Sequence, residues 1–191
     1  MKITKAQFIT SFADAGKYAQ NLYTNEFCFC GRSNVGKSTL INTLAGQKLA
    51  KTSQTPGRTR LINIFDINSG QITLVDLPGY GYAKVSKGQQ EEFKTLMEGF
   101  FDVAKGRLKR AFVLCDIRVL SPLDKEMLGY LYFYQVPFSI LATKADKVSK
   151  AQLHKHIMQL STFLGVGKDD IVAVSEKGQG KDKMLSIMLG G

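Results

Sequence analysis

A chain of 191 residues with 26 Lys and Arg against 16 Asp and Glu carries a formal charge of +10, and its pI is near 9.5. The length suits one ordinary domain and is short for two; 44% hydrophobic residues, 22% charged residues and only four Pro exclude a disordered or fibrous chain. No apolar run reaches the length of a membrane span, and Met1 to Gln7 lacks a secretory core, so a cytoplasmic location is expected.

In chain order, the first 25 or so residues, with Phe8, Phe12 and Tyr18, predict a helix or extended arm packed on a single domain running from 26 to 191. Glu26 to Cys30 reads as a buried strand and Ser38 to Leu44 as a helix with apolar positions at helical spacing. Between them lies Gly31-Arg32-Ser33-Asn34-Val35-Gly36-Lys37-Ser38, which matches G-x-x-x-x-G-K-[ST]. In that pattern small residues let successive N–H groups face one concavity that accepts the phosphates of a nucleoside triphosphate. Lys37 then reaches the β- and γ-phosphates, Ser38 ligates Mg²⁺, and the N-terminus of the following helix, with Thr39 in its first turn, adds its dipole.

Gln47 to Thr59 reads as a long basic loop with a Pro-Gly turn. Two strands, 60–67 and 71–76, flank the hairpin signal Asn68-Ser69-Gly70, and a second loop runs from Leu77 to about Gly88. Gln89 to Ala104 is helical with a core-facing aromatic stripe. Strands at 110–116, 137–143 and 171–175 then alternate with helices at 121–134, 150–164 and 181–189. Continuous apolar strands alternating with helices specify an α/β, three-layer domain: a mostly parallel six-stranded sheet, one antiparallel edge strand, and helices on both faces. Cys28, Cys30 and Cys115 fall on predicted core strands without zinc spacing and read as small buried hydrophobes.

A phosphate loop alone does not separate a GTPase from an ATPase or a kinase. Three elements at predicted strand ends do. Asp76-Leu77-Pro78-Gly79 offers a carboxylate that holds Mg²⁺ through water and a Gly N–H for the γ-phosphate. Thr143-Lys144-Ala145-Asp146 offers two carboxylate oxygens to guanine N1–H and N2–H₂, donors adenine lacks as a pair, with the Lys144 stem over the purine. Many GTPases have Asn at the position of Thr143; a threonine hydroxyl makes only part of the tether an amide would. The third element, Ser175-Glu176-Lys177 with Val174 before it, places the Glu176 N–H where it would meet guanine O6 and is weak by itself.

GRSNVGKST, TPGRT, DLPGYGYA (Asp76 to Ala83) and TKAD together resemble the EngB (YihA/YsxC-type) bacterial GTPases of the Era-related class. The likeness runs from about Phe27 to the C-terminus. Thr143 is similar to that family's usual form, whereas Glu176 stands where Ser or Ala is expected. The resemblance implies a P-loop GTPase fold, GTP and GDP as ligands, a role in large ribosomal subunit assembly with a link to cell division and septation, and a monomer. It implies nucleotide contacts from Gly57, Arg58, Thr59, Arg60 and Leu61, with Thr59 as the switch threonine completing the Mg²⁺ shell and Thr55 as its local competitor.

Hydrolysis is expected to be slow, because Tyr80 follows D-x-x-G where Ras-type sites have a water-orienting Gln. Tyr80 and Tyr82 either pack, stack on a partner or stand exposed. Asn34 resembles the loop Asn that ligates K⁺ in potassium-stimulated relatives; the alternative is a residue that only stabilises the turn. The positive charge has two readings, a polyanionic partner such as ribosomal RNA or a solvated lysine-rich surface. Lys48, Lys51, Arg58, Arg60, Lys84 and Lys87 flank the two loops and favour the first. The competing functions are a P-loop small-molecule or nucleotide kinase, and an RNA-binding module that keeps GTP as a structural ligand.

Overall fold

The computed structural model describes residues 3–50, 61–81 and 86–190. Its elements in order are β1 (Ala6–Phe12), α1 (Ala15–Ala19), β2 (Glu26–Gly31), α2 (Lys37–Ala45), β3 (Ile62–Ile67), β4 (Ile72–Asp76), α3 (Lys87–Ala104), β5 (Leu108–Asp116), α4 (Pro122–Phe133), β6 (Phe138–Thr143), α5 (Lys150–Leu164), β7 (Ile171–Ala173) and α6 (Lys181–Leu189).

The described strands form one sheet in the order β1-β3-β4-β2-β5-β6-β7. β4, β2, β5, β6 and β7 are mutually parallel, and β3 runs antiparallel to both β4 and β1. The α/β class and mostly parallel sheet are those the sequence predicts. The sheet has seven strands, however, not six, because part of the N-terminal arm is itself a strand.

β1 pairs with β3 from Ala6↔Ile67 to Phe12↔Ile62, and so covers the antiparallel strand that would otherwise form the edge. Cross-strand side chains fix this register. Ser11 Oγ donates to Asn63 Oδ1 at 2.7 Å, Gln7 Nε2 donates to Asp66 Oδ2 at 3.1 Å, and Phe8 meets Phe65 edge to face. Buried Glu26 ties the next turn down, accepting the Tyr18 hydroxyl and the Arg107 guanidinium, the latter at 2.7 Å.

Alternation along β2 and β5 divides the core. Cys28, Cys30, Ala111, Val113 and Cys115 face one layer with Phe100 and Phe101 of α3, Leu128 of α4 and Leu160 of α5. Phe27, Phe29, Phe112 and Leu114 face the other, with Ile41 of α2 and Met184 of α6. The three cysteines are buried and free, and burial raises all three thiols, as expected of small hydrophobes. With the strands parallel, Gly31, Asp76, Asp116 and Thr143 all end their strands on one side of the sheet.

Candidate nucleotide site

β2 runs to Gly31, where a Cβ would lie 2.9 Å from Val35 Cγ1 and 3.0 Å from the Leu114 carbonyl oxygen. A side chain there would push the loop off the sheet. Asn34 (φ 63°) and Gly36 (φ 103°) take left-handed conformations that turn the chain back into α2. The N-cap of α2 is Gly36, which has no side chain to bond the first-turn N–H groups of Lys37, Ser38 and Thr39.

Asp76 to Tyr80 lies alongside this loop. The Leu77 N–H donates to the Phe29 carbonyl (3.0 Å), the Tyr80 N–H to Gly31 (3.3 Å) and the Ser33 N–H to Tyr80 (2.8 Å). The approach at Gly79 is so close that a Cβ would stand 2.9 Å from Ser33 Oγ and 3.2 Å from Ser33 Cα. Buried Lys37 forms an ion pair with buried Asp76, and Asn63 Nδ2 donates to the second Asp76 oxygen at 3.3 Å. Ser38 follows Lys37 in the first turn of α2. The Asp76 carboxylate is a hard oxygen donor of the kind Mg²⁺ takes.

At the end of β6, the buried Thr143 hydroxyl donates to the Val35 carbonyl at 2.8 Å, with the Cys115 carbonyl at 3.2 Å. The hydroxyl therefore bonds the base loop to the phosphate loop without an amide. Lys144, left-handed at φ 59°, sends its ammonium to the Asn34 carbonyl (3.1 Å) and to Asp116 (3.0 Å). Ala145 donates to the carbonyl of buried Val174 at 3.1 Å, which docks the base loop on the end of β7. Asp146 sits in the short 3-10 turn Ala145–Lys147.

Among the described residues, three buried side-chain polar atoms have no hydrogen-bond partner: Ser33 Oγ, Asp146 Oδ2 and Ser175 Oγ. They come from the phosphate loop, the base loop and the last motif. Lys147 Nζ is 3.3 Å from Asp146 Oδ2, within ion-pair range, but it lies outside hydrogen-bond geometry and the lysine is half exposed. Buried polar atoms left unpaired cost free energy, and a guanine nucleotide supplies donors for the carboxylate.

Leu77 and Pro78, at the start of the second loop, are buried, Leu61 just before β3 is exposed, and Glu176 is exposed with its carbonyl 3.4 Å from the Thr43 hydroxyl. Gly57, Arg58, Thr59 and Arg60, with Thr55, Tyr82, Lys51 and Lys84, lie outside the described residues. Lys48 and Lys87 of the proposed basic face are exposed.

Two residues take unexpected roles. Arg32 commits its guanidinium to Asp124 (3.3 Å). Tyr80 is buried, and its hydroxyl donates to Asp124 at 3.0 Å; burial holds its pKa well above the ordinary phenol value. Asp116, Asp124 and Asn63 belong to no motif and are read only from the structure. Burial alone would raise the Asp116 carboxyl, but hydrogen bonds from Arg118 and Lys144 outweigh it and leave the group well below the usual range.

The phosphate loop, the Asp76–Gly79 segment packed on it and the base loop tied to it by Thr143 define a P-loop GTPase. The family model described as "50S ribosome-binding GTPase" matches residues 26–144. The solved structure of a probable GTP-binding protein engB superposes with a TM-score of 0.72 over 87% of this chain and 100% of that one, at 24% identity. Era from Aquifex aeolicus, crystallised with GDP and AlF₄⁻, superposes at 0.68 over 86% of this chain and 56% of Era, at 23% identity.

Sequence similarity narrows the class. Probable GTP-binding proteins EngB are 44% identical over 98% of this chain in Fusobacterium nucleatum (97% of that protein) and 41% over 86% in Aquifex aeolicus (89% of that protein). The Flavobacterium johnsoniae protein of the same name is 48% identical over 82% of this chain and 74% of its own length. The chain belongs to the EngB family of GTP-binding proteins, and it is a GTPase.

Proposed function

We propose that this chain is a slow, Mg²⁺-dependent, cytoplasmic GTPase switch that acts as a monomer on the large ribosomal subunit during its assembly. The observation that carries the guanine-nucleotide part is the Thr143–Val35 bond, which makes the base loop and the phosphate loop one unit. The match to a family described as ribosome-binding supports the partner, as does the net charge of +10. Era, a fold neighbour of which this chain matches 57%, was crystallised with nucleotides 1506–1542 of 16S ribosomal RNA.

In this reading Lys37 leaves Asp76 for the β- and γ-phosphates, and Gly79 offers its N–H to the γ-phosphate. Ser38, Asp76 and Thr59 would hold Mg²⁺, which would neutralise charge on the phosphates. The buried Tyr80 hydroxyl, committed to Asp124, does not orient water, and that supports slow intrinsic turnover. Asn34 is exposed in a left-handed turn with its carbonyl engaged by Lys144, which leaves its side chain for a K⁺ ion. Turnover that is equal in Na⁺ and K⁺ would remove the K⁺ role.

The test of the whole is cosedimentation with large-subunit particles. Binding is expected to be stronger with a non-hydrolysable GTP analogue than with GDP and to weaken steeply as salt rises. Equal affinity in both nucleotide states would refute the switch. Phosphate release from GTP without an acceptor, abolished in Lys37→Ala, separates this reading from a kinase and from a module that merely retains GTP.

A further inference from the structure

We propose that Asp124, outside every nucleotide motif, is a positioning residue that pins Gly79 against the phosphate loop and so adds to the affinity for GTP but not to that for GDP. The proposal rests on the reading of Gly79 as the γ-phosphate contact.

Asp124 lies in the first turn of α4, with its side chain 1% exposed. Its carboxylate gathers two groups from the nucleotide side. The Tyr80 hydroxyl reaches Oδ1 at 3.0 Å, and Arg32 Nε stands 3.3 Å from both oxygens. One buried charge thus joins α4, the phosphate loop and the segment after D-x-x-G. A first-turn acid serves its helix equally well from the surface. Burial therefore needs another reason, and burial pushes this carboxyl up despite Arg32 and Tyr80.

The network restrains the backbone around Gly79. Upstream, Leu77 is bonded to Phe29; downstream, both backbone groups of Tyr80 are bonded to the phosphate loop. The hydroxyl–carboxylate bond holds the Tyr80 ring in the core and so keeps those backbone bonds in register. The anchored segment ends at Gly81, whose φ of 79° favours glycine and where a Cβ would also crowd the tip of the Leu123 side chain at 2.7 Å. A Gly79 N–H held in place before the γ-phosphate arrives binds it with no further ordering cost. GDP has no γ-phosphate and gains nothing from the anchor.

The test compares affinities for a non-hydrolysable GTP analogue and for GDP, read by a fluorescent nucleotide, in wild type, Tyr80→Phe, Asp124→Ala and Asp124→Asn. Analogue affinity should fall on the order of tenfold in Tyr80→Phe and Asp124→Ala, as for loss of a charge-assisted hydrogen bond, with GDP affinity unchanged. Asp124→Asn keeps an acceptor for the hydroxyl and should recover part of the loss. An equal loss for both nucleotides would mean that Asp124 only stabilises the fold and would overturn the proposal, as would no loss at all. Tyr80→Phe removes one oxygen atom and carries the test alone if Asp124→Ala does not fold. Lys37→Ala is the control for the site: if it bound both nucleotides as wild type does, the phosphate-loop assignment would fall and the proposal with it.

Discussion

Replacing Thr143 by Val isolates the bond that joins base recognition to phosphate binding. Valine keeps the β-branched shape in a position that is 4% exposed and removes only the hydroxyl that donates to Val35 at 2.8 Å. The Val35 carbonyl then loses its donor in a buried place, which costs about 1–3 kcal/mol. If the whole cost appears in binding, GDP affinity falls about fivefold to 150-fold, at 1.4 kcal/mol per factor of ten. If it appears in the free protein, Tm falls by about 2–4 °C for each kcal/mol in a domain of this size. Titration with a fluorescent GDP analogue and a thermal melt together recover both shares. Thr143→Ser retains the hydroxyl and should restore most of the affinity. A Thr143→Val protein with GDP affinity within about twofold of wild type and an unshifted melt would refute the tether.

Asp146→Asn replaces a two-acceptor carboxylate by an amide that presents a donor to guanine, so GTP and GDP should each bind at least about 100-fold more weakly, on the scale of buried polar mismatches. Unchanged guanine selectivity in a competition assay would remove Asp146 from the base site. Gly79→Ala forces a methyl group to within 2.9 Å of Ser33 Oγ and 3.2 Å of its backbone nitrogen. Overpacking against backbone costs about 1–3 kcal/mol, and chemical denaturation should show it together with weakened GTP-analogue binding. For Asp116 the folded-state carboxyl lies below its unfolded value of about 3.9. Its contribution to stability is therefore full above that value and is lost as pH falls below it. The stability difference between wild type and Asp116→Asn should be largest near neutral pH and shrink through the acid range; a difference that grows as pH falls would contradict the Arg118 and Lys144 pairing.

The parts of this molecule legible in its sequence are those encoded by neighbours in the chain. β2 announces itself as a short continuous apolar run, the helix after it by periodicity, the phosphate loop by its glycines, and α4 by Ser121-Pro122 at its start. β1 is illegible for the opposite reason. Ala6 to Phe12 shows no clean alternation in burial, and its pairing is set by Asn63, Phe65 and Asp66, more than fifty residues away. The Arg32–Asp124 contact spans 92 positions and Lys37–Asp76 spans 39, yet only the second was foreseeable, because both of its ends sit in recognisable motifs. Asp124, read alone, is an ordinary acid in the first turn of a helix, and Tyr80 is a tyrosine in a loop. Their meaning depends on the sheet, which places the start of α4 beneath the phosphate loop and turns a surface-type charge inward. A motif specifies which atoms meet the nucleotide. The residues that hold those atoms still belong to the packing of the whole domain, and substitutions there should alter how the two nucleotide states are told apart before they abolish binding.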